Sequence, residues 1–152
     1  MSTTTLAVTT CEGSLRDLIA AWEGSPEPTL KITSYFPVYA RLFSHLRGRP
    51  CVFIETGVLN GGSLFMWRQW LGDQARIIGL DLNPGALKWR EAGFEIHIGD
   101  QGDPAFWRGL LAEIGAFDVL LDDGGHQSFQ HGPTCCGWKA AWSAAPARPR
   151  PR

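Results

Sequence analysis

Four apolar runs, each closing on a turn rich in glycine or aspartate, recur between residues 52 and 126 and predict buried strands. They are VFIETGVLNGGS (Val52–Ser63), ARIIGLDLN (Ala75–Asn83), FEIHIGDQGDP (Phe94–Pro104) and FDVLLDDGGH (Phe117–His126). Helical patterns separate them. SLFMWRQWLG follows the first run as an amphipathic helix, ALKWREAG follows the second as a brief one, and AFWRGLLAEIG starts after Pro104 and stops at Gly115. Upstream, LRDLIAAW has helical spacing until GSPEP breaks it, and Phe36, Tyr39, Ala40, Phe43 and Leu46 form an apolar stripe closed by Gly48 and Pro50. Aromatic residues on such a stripe are read as core. Strands alternating with helices predict an α/β fold with a doubly wound parallel sheet.

Composition narrows the partners more than the fold. The net charge of −1 over 152 residues gives no general attraction to nucleic acid or anionic membrane. No apolar run approaches the roughly 18 residues of a spanning helix, and the start lacks the basic and apolar regions of a signal peptide, so the expectation is a cytoplasmic protein without nucleic-acid or membrane partners. Cys11, Cys51, Cys135 and Cys136 have no metal-binding spacing, and disulfides are not expected.

The candidate chemistry gathers at the ends of the strands. Gly57, Gly61 and Gly62 follow Glu55 in a strand–turn–helix arrangement, where missing Cβ atoms let the backbone approach a ligand. Asp81 closes the second strand, about 20 residues on, the spacing at which a nucleotide-binding βαβ unit places an acid against a ribose diol. A helix cap or turn former is the other reading of that residue. Asp100 and Gln101 occupy the carboxyl end of the third strand, placed to meet a base, while His97 points to the opposite face and is read as structural. The fourth run carries Asp122, Asp123 and His126. Paired acids at one sheet edge repel unless a hard divalent cation neutralises them, and a neighbouring imidazole can take a proton from a hydroxyl; a DDGG turn capping the next helix is the plainer alternative. An NAD-dependent oxidoreductase fits less well, because GVLNGG departs from GxGxxG and DDGGH has no role in hydride transfer.

From Tyr35 to Gln130 the chain resembles class I methyltransferases that use S-adenosylmethionine, with IETGVLNGGSL, GLDLN, HIGDQGDP and FDVLLDDGGH similar to their first four motifs. NGGSLFMWRQWL, GDQGDPAFW and DDGGH are most similar to the metal-dependent sugar O-methyltransferases of macrolide biosynthesis and to cephalosporin hydroxylase-like relatives. The resemblance implies that Glu55 and Gly57 lie against the amino-acid part of S-adenosylmethionine with Ser63 close by, that Asp81 holds the ribose, and that Asp100 and Gln101 meet the adenine. It further implies that Asp123 binds Mg2+, that His126 is the base and that Asp122 orients the site, the acceptor being a small-molecule or sugar hydroxyl. A non-catalytic nucleoside-binding or partner-docking remnant is the alternative.

A complete fold of that class has about seven strands, and four are legible before the pattern changes near His131. The expected division is a lead-in helix and linker over 1–28, a partial methyltransferase domain over 29–130 and a disordered tail over 131–152. HGPTCCGWKAAWSAAPARPRPR has the composition of out-of-frame coding sequence, so a frameshift or early end after Gln130, with loss of activity, is the expectation there.

Overall fold

The computed structural model describes residues 3–124. The chain divides into two compact units, one formed by residues up to Cys51 with Asn60–Ile77, the other by Val52–Leu59 with the residues from Ile78 onward. The tail expected beyond 130, His126, Cys135 and Cys136 lie outside the described residues; Cys51 is buried.

The first unit is helical. Helix α1 (Thr3–Glu23) packs against α2 (Phe36–Phe43) and α3 (Gly62–Leu71). Its core is aromatic: Trp22 meets the Phe36 ring edge-on at 5.6 Å, Tyr39 meets Trp67 at 5.5 Å, and Trp70 Nε1 donates to the Ser14 carbonyl at 2.9 Å. Stripe residues Phe36, Tyr39 and Ala40 are buried, as the helical spacing requires. Helix α1 starts well before Leu15, where the pattern alone had placed the helix. A threonine-rich start lowers helix propensity by only a few tenths of a kcal/mol per residue, too little by itself to stop the helix.

The second unit carries the sheet, in the order β3–β2–β1–β4. Strand β1 (Cys51–Thr56) pairs in parallel with β4 (Val119–Asp122), matching Phe53 to Val119 and Thr56 to Asp122. Strand β2 (Ala75–Asp81) pairs in parallel with β3 (Glu95–Ile98), matching Ile78 to Glu95 and Asp81 to Ile98. Ile54, Ile78 and Leu80 bury against Trp107, Leu110 and Ile114 of α4 (Pro104–Ile114), with Phe117 closing the cluster. The expected brief helix after β2 is a 3₁₀ segment, Pro84–Arg90, started by the Asn83 side chain accepting from Gly85 N at 2.9 Å. The fourth strand is shorter than the apolar run, ending at Asp122. His97 lies 2.9 Å from Glu95 on its own strand, through Nε2.

The strand order reverses between β1 and β4, so the carboxyl ends of these two strands flank the crevice where open α/β sheets bind ligands. In the first unit, a Cβ at Gly62 would fall onto the carbonyls of Glu27 and Pro28, while the Ser25 hydroxyl bridges Glu27 O and Gly62 O at 2.9 Å each. Gly62→Ala is therefore expected to destabilise the protein by about 1–3 kcal/mol, because a backbone clash outweighs the gain of about 1 kcal/mol in helix propensity. Urea denaturation checks it, and a midpoint equal to or above that of the parent protein contradicts it.

Candidate functional site

The turn after β1 is held from below by one carboxylate. Asp81 Oδ2 accepts from Val58 N at 2.9 Å and Leu59 N at 3.1 Å, and Oδ1 accepts from Asn83 N at 2.8 Å. Gly57 and Leu59 have positive φ, 82° and 47°, which turns successive amides toward that acid. Asp81 is therefore a turn former, the second of the two readings, and it also lines the cleft. An ionised carboxylate offers about four acceptor sites, of which backbone amides take three here, leaving one for a ligand hydroxyl.

Around this acid the ends of all four strands enclose a cleft of about 180 Å³, with Gly57, Asp81, Asp100 and Gln101 in its lining. Gly57 N donates to Leu80 O at 2.8 Å and Gly99 N to Asp81 O at 3.0 Å, so the strand ends are locked together as the cleft begins. Glycine is required at Gly57 twice over: its φ is positive, and a Cβ would stand 2.5 Å from Gly124 Cα. On the β3 side, Asp100 Oδ1 accepts from Gly102 N at 2.7 Å, and the Gln101 carbonyl accepts from Trp107 Nε1 at 2.7 Å. On the β4 side, Asp122 Oδ1 accepts from Thr56 Oγ1 at 2.8 Å and from Gln101 Nε2 at 3.2 Å.

The structure thus brings Gly57, Asp81, Asp100 and Gln101 to one cleft and links Asp122 to it through Gln101. Glu55 is fully buried within β1 and does not line the cleft; Ser63, near the start of α3, is described with the other unit. Asp123 is exposed just beyond β4, its amide donating to Thr56 O at 3.2 Å. Among the described residues no three His, Cys, Asp or Glu side chains are grouped to hold a metal. Thr56, Leu82 and Gly99 are contributors that sequence reasoning passed over. The signal for Thr56 was a polar residue at the carboxyl end of a strand apolar apart from Glu55; Gly99 had the weaker signal of a lone glycine at a strand end, where a Cβ would strike the Phe106 ring.

No family model matches the chain. It is 37% identical over 101 residues to the 8-demethyl-8-(2-methoxy-alpha-L-rhamnosyl)-tetracenomycin-C 3'-O-methyltransferase of Streptomyces olivaceus, a match covering 60% of this chain and 25% of that protein. It is 32% identical over 99 residues to the demethylmacrocin O-methyltransferase of Streptomyces fradiae, covering 60% of this chain and 25% of that one. Among solved structures, the MycE methyltransferase of the mycinamycin pathway, in complex with Mg and SAH, superimposes with a TM-score of 0.69 at 24% identity over 84% of this chain and 36% of its own. The chain spans about a quarter of the length of the curated relatives it matches.

Replacing Asp81 by asparagine keeps the shape but turns an amide N–H toward backbone donors. Asp81→Asn is expected to cost about 1–3 kcal/mol of stability with no ligand present, measured by urea denaturation, since three amides depend on that carboxylate. An unchanged midpoint contradicts the turn-forming role. The described residues thus share the α/β fold of the MycE methyltransferase, and the sequence is similar, over about a quarter of their length, to O-methyltransferases of tetracenomycin and macrocin formation.

Proposed function

We propose that this chain binds S-adenosylmethionine in the cleft at the carboxyl ends of its strands and serves O-methylation of a sugar hydroxyl on a small natural product, in the cytoplasm. The observation that carries the reading is the chemistry of the cleft. Its described lining holds two carboxylates, Asp81 and Asp100, with the Gln101 amide and the apolar Leu80 and Leu82, and it includes no Lys or Arg. Such a lining suits a nucleoside with hydroxyl and amine donors and a positive charge. It disfavours a diphosphate, which wants cations or a helix N-terminus, and so speaks against a dinucleotide. The names of the sequence relatives, all sugar-directed O-methyltransferases among those given above or acting on a macrolide precursor, supply the reaction and acceptor class.

Bound there, S-adenosylmethionine supplies a sulfonium-bound methyl group open to in-line displacement by a hydroxyl oxygen. The remaining acceptor site of Asp81 takes a ribose hydroxyl, Gly57 leaves its backbone bare against the ligand, and Asp100 with Gln101 meets the base. Asp122 orients the site, and His126 accepts the proton of the acceptor hydroxyl. Asp123 is the proposed Mg2+ ligand. The described residues do not by themselves make a metal centre.

Calorimetry of the full chain against S-adenosylhomocysteine and NADH tests the cleft. Binding of the first at micromolar concentration, with no heat from the second, is expected; heat from NADH alone overturns the reading.

A further inference from the structure

We propose that the outer face of α2 is a docking surface for an acidic amphipathic helix supplied by another polypeptide. Nine large apolar side chains are exposed among the described residues, and five of them, Leu30, Ile32, Tyr35, Val38 and Leu42, fall within residues 30–42. Each is at least half exposed, Leu30 the most at 77%. Single apolar side chains on a surface are ordinary, whereas a contiguous group marks an interaction site. Ile32, Tyr35, Val38 and Leu42 follow one another at intervals of three, three and four through the 3₁₀ turn Thr33–Tyr35 and α2, so they form one stripe. The first unit does not use that stripe for its own core. Phe36, Tyr39 and Ala40, on the other face, are buried, with Phe36 against Trp22 and Tyr39 against Trp67. Helix α2 is thus apolar on two faces and covered on one.

Charge along the stripe identifies what fits it. Residues 30–50 include Lys31, Arg41, Arg47 and Arg49 and no Asp or Glu. Val38, Arg41, Leu42 and His45 recur at i, i+3, i+4 and i+7, which places Arg41 and His45, both exposed, beside the two apolar side chains. Arg47 is engaged by Asp17 of α1 at 2.7 Å, whereas Arg41 has no ion-pair partner among the described residues. A second copy of the chain brings the same cations and no acid on this stripe, so self-docking leaves Arg41 uncompensated. An anionic lipid surface needs a more strongly basic face than Arg41 and His45 supply. A helix with large apolar residues on one face and Glu or Asp beside them meets both the stripe and its cations.

The probe is a fluorescein-labelled helical peptide of about 18 residues with Leu on one face and Glu on the flanks, and its control carries Lys in place of Glu. Fluorescence anisotropy on the full chain is expected to show binding of the Glu peptide at micromolar concentration and of the Lys peptide at least about tenfold more weakly. Val38→Ser combined with Leu42→Ser, both at exposed positions, is expected to weaken the Glu peptide by about tenfold with an unchanged circular dichroism spectrum. Arg41→Glu is expected to weaken it several-fold, and decides the matter if the paired variant does not fold. Absence of binding, equal binding of the two peptides, or an affinity that neither variant lowers overturns the proposal. A dimer in sedimentation velocity that the paired variant dissolves assigns the face to a second copy. Binding to phosphatidylglycerol vesicles but not to phosphatidylcholine ones, lost in the same variant, assigns it to a membrane. Either of these results also overturns the proposal.

Discussion

Three backbone amides converge on the Asp81 carboxylate, and the geometry of the cleft follows from that convergence. A turn with positive φ at Gly57 and Leu59 points the Val58 and Leu59 N–H groups at this acid. Asp81 supplies the acceptor from the neighbouring strand, so the ends of β1 and β2 are tied at the place where the ligand crevice opens. The same acid then faces the cleft with about one acceptor site to spare. Fold and site share this side chain, and a substitution there acts on both.

The β4 side repeats the arrangement with a different acid. Asp122 receives the Thr56 hydroxyl and the Gln101 amide, so the ends of β1 and β4 and the loop after β3 are tied by a second carboxylate. Two acids, each receiving donors of the protein itself, tie the cleft walls together. Backbone contact does the rest: Gly57 and Gly124 approach so closely that a side chain on Gly57 is excluded. Preorganisation of this kind reduces what a ligand must spend on ordering the site.

Much of this was legible in the sequence. ARIIGLD reads as a buried strand because β-branched and apolar residues fill it without a break, and Ile77, Ile78 and Leu80 are indeed buried. The glycine turn was legible from Gly57 and Gly61, both of which adopt positive φ. The gathering of Gly57, Asp81, Asp100 and Gln101 at one sheet edge followed from placing each at a strand end. What could not be read was which donors each acid would meet. Asp81 at a strand end serves equally as turn former or ligand acceptor, and only the fold shows that it binds Val58, Leu59 and Asn83 amides. The weight of Thr56 was hard to read for a related reason, since a polar residue at a strand end is ordinary until pairing sets it opposite Asp122. The segment Pro84–Arg90 spans too few residues for a period of 3.0 to be told from 3.6.

The proposal that a nucleoside binds against the Asp81 turn is tested most directly by an amide-resolved nuclear magnetic resonance titration with S-adenosylhomocysteine. The resonances of Val58, Leu59 and Asn83, whose N–H groups rest on Asp81, are expected to shift together with those of Gly99 to Gln101. Shifts confined to α1 and α2, or none at saturating ligand, contradict the account.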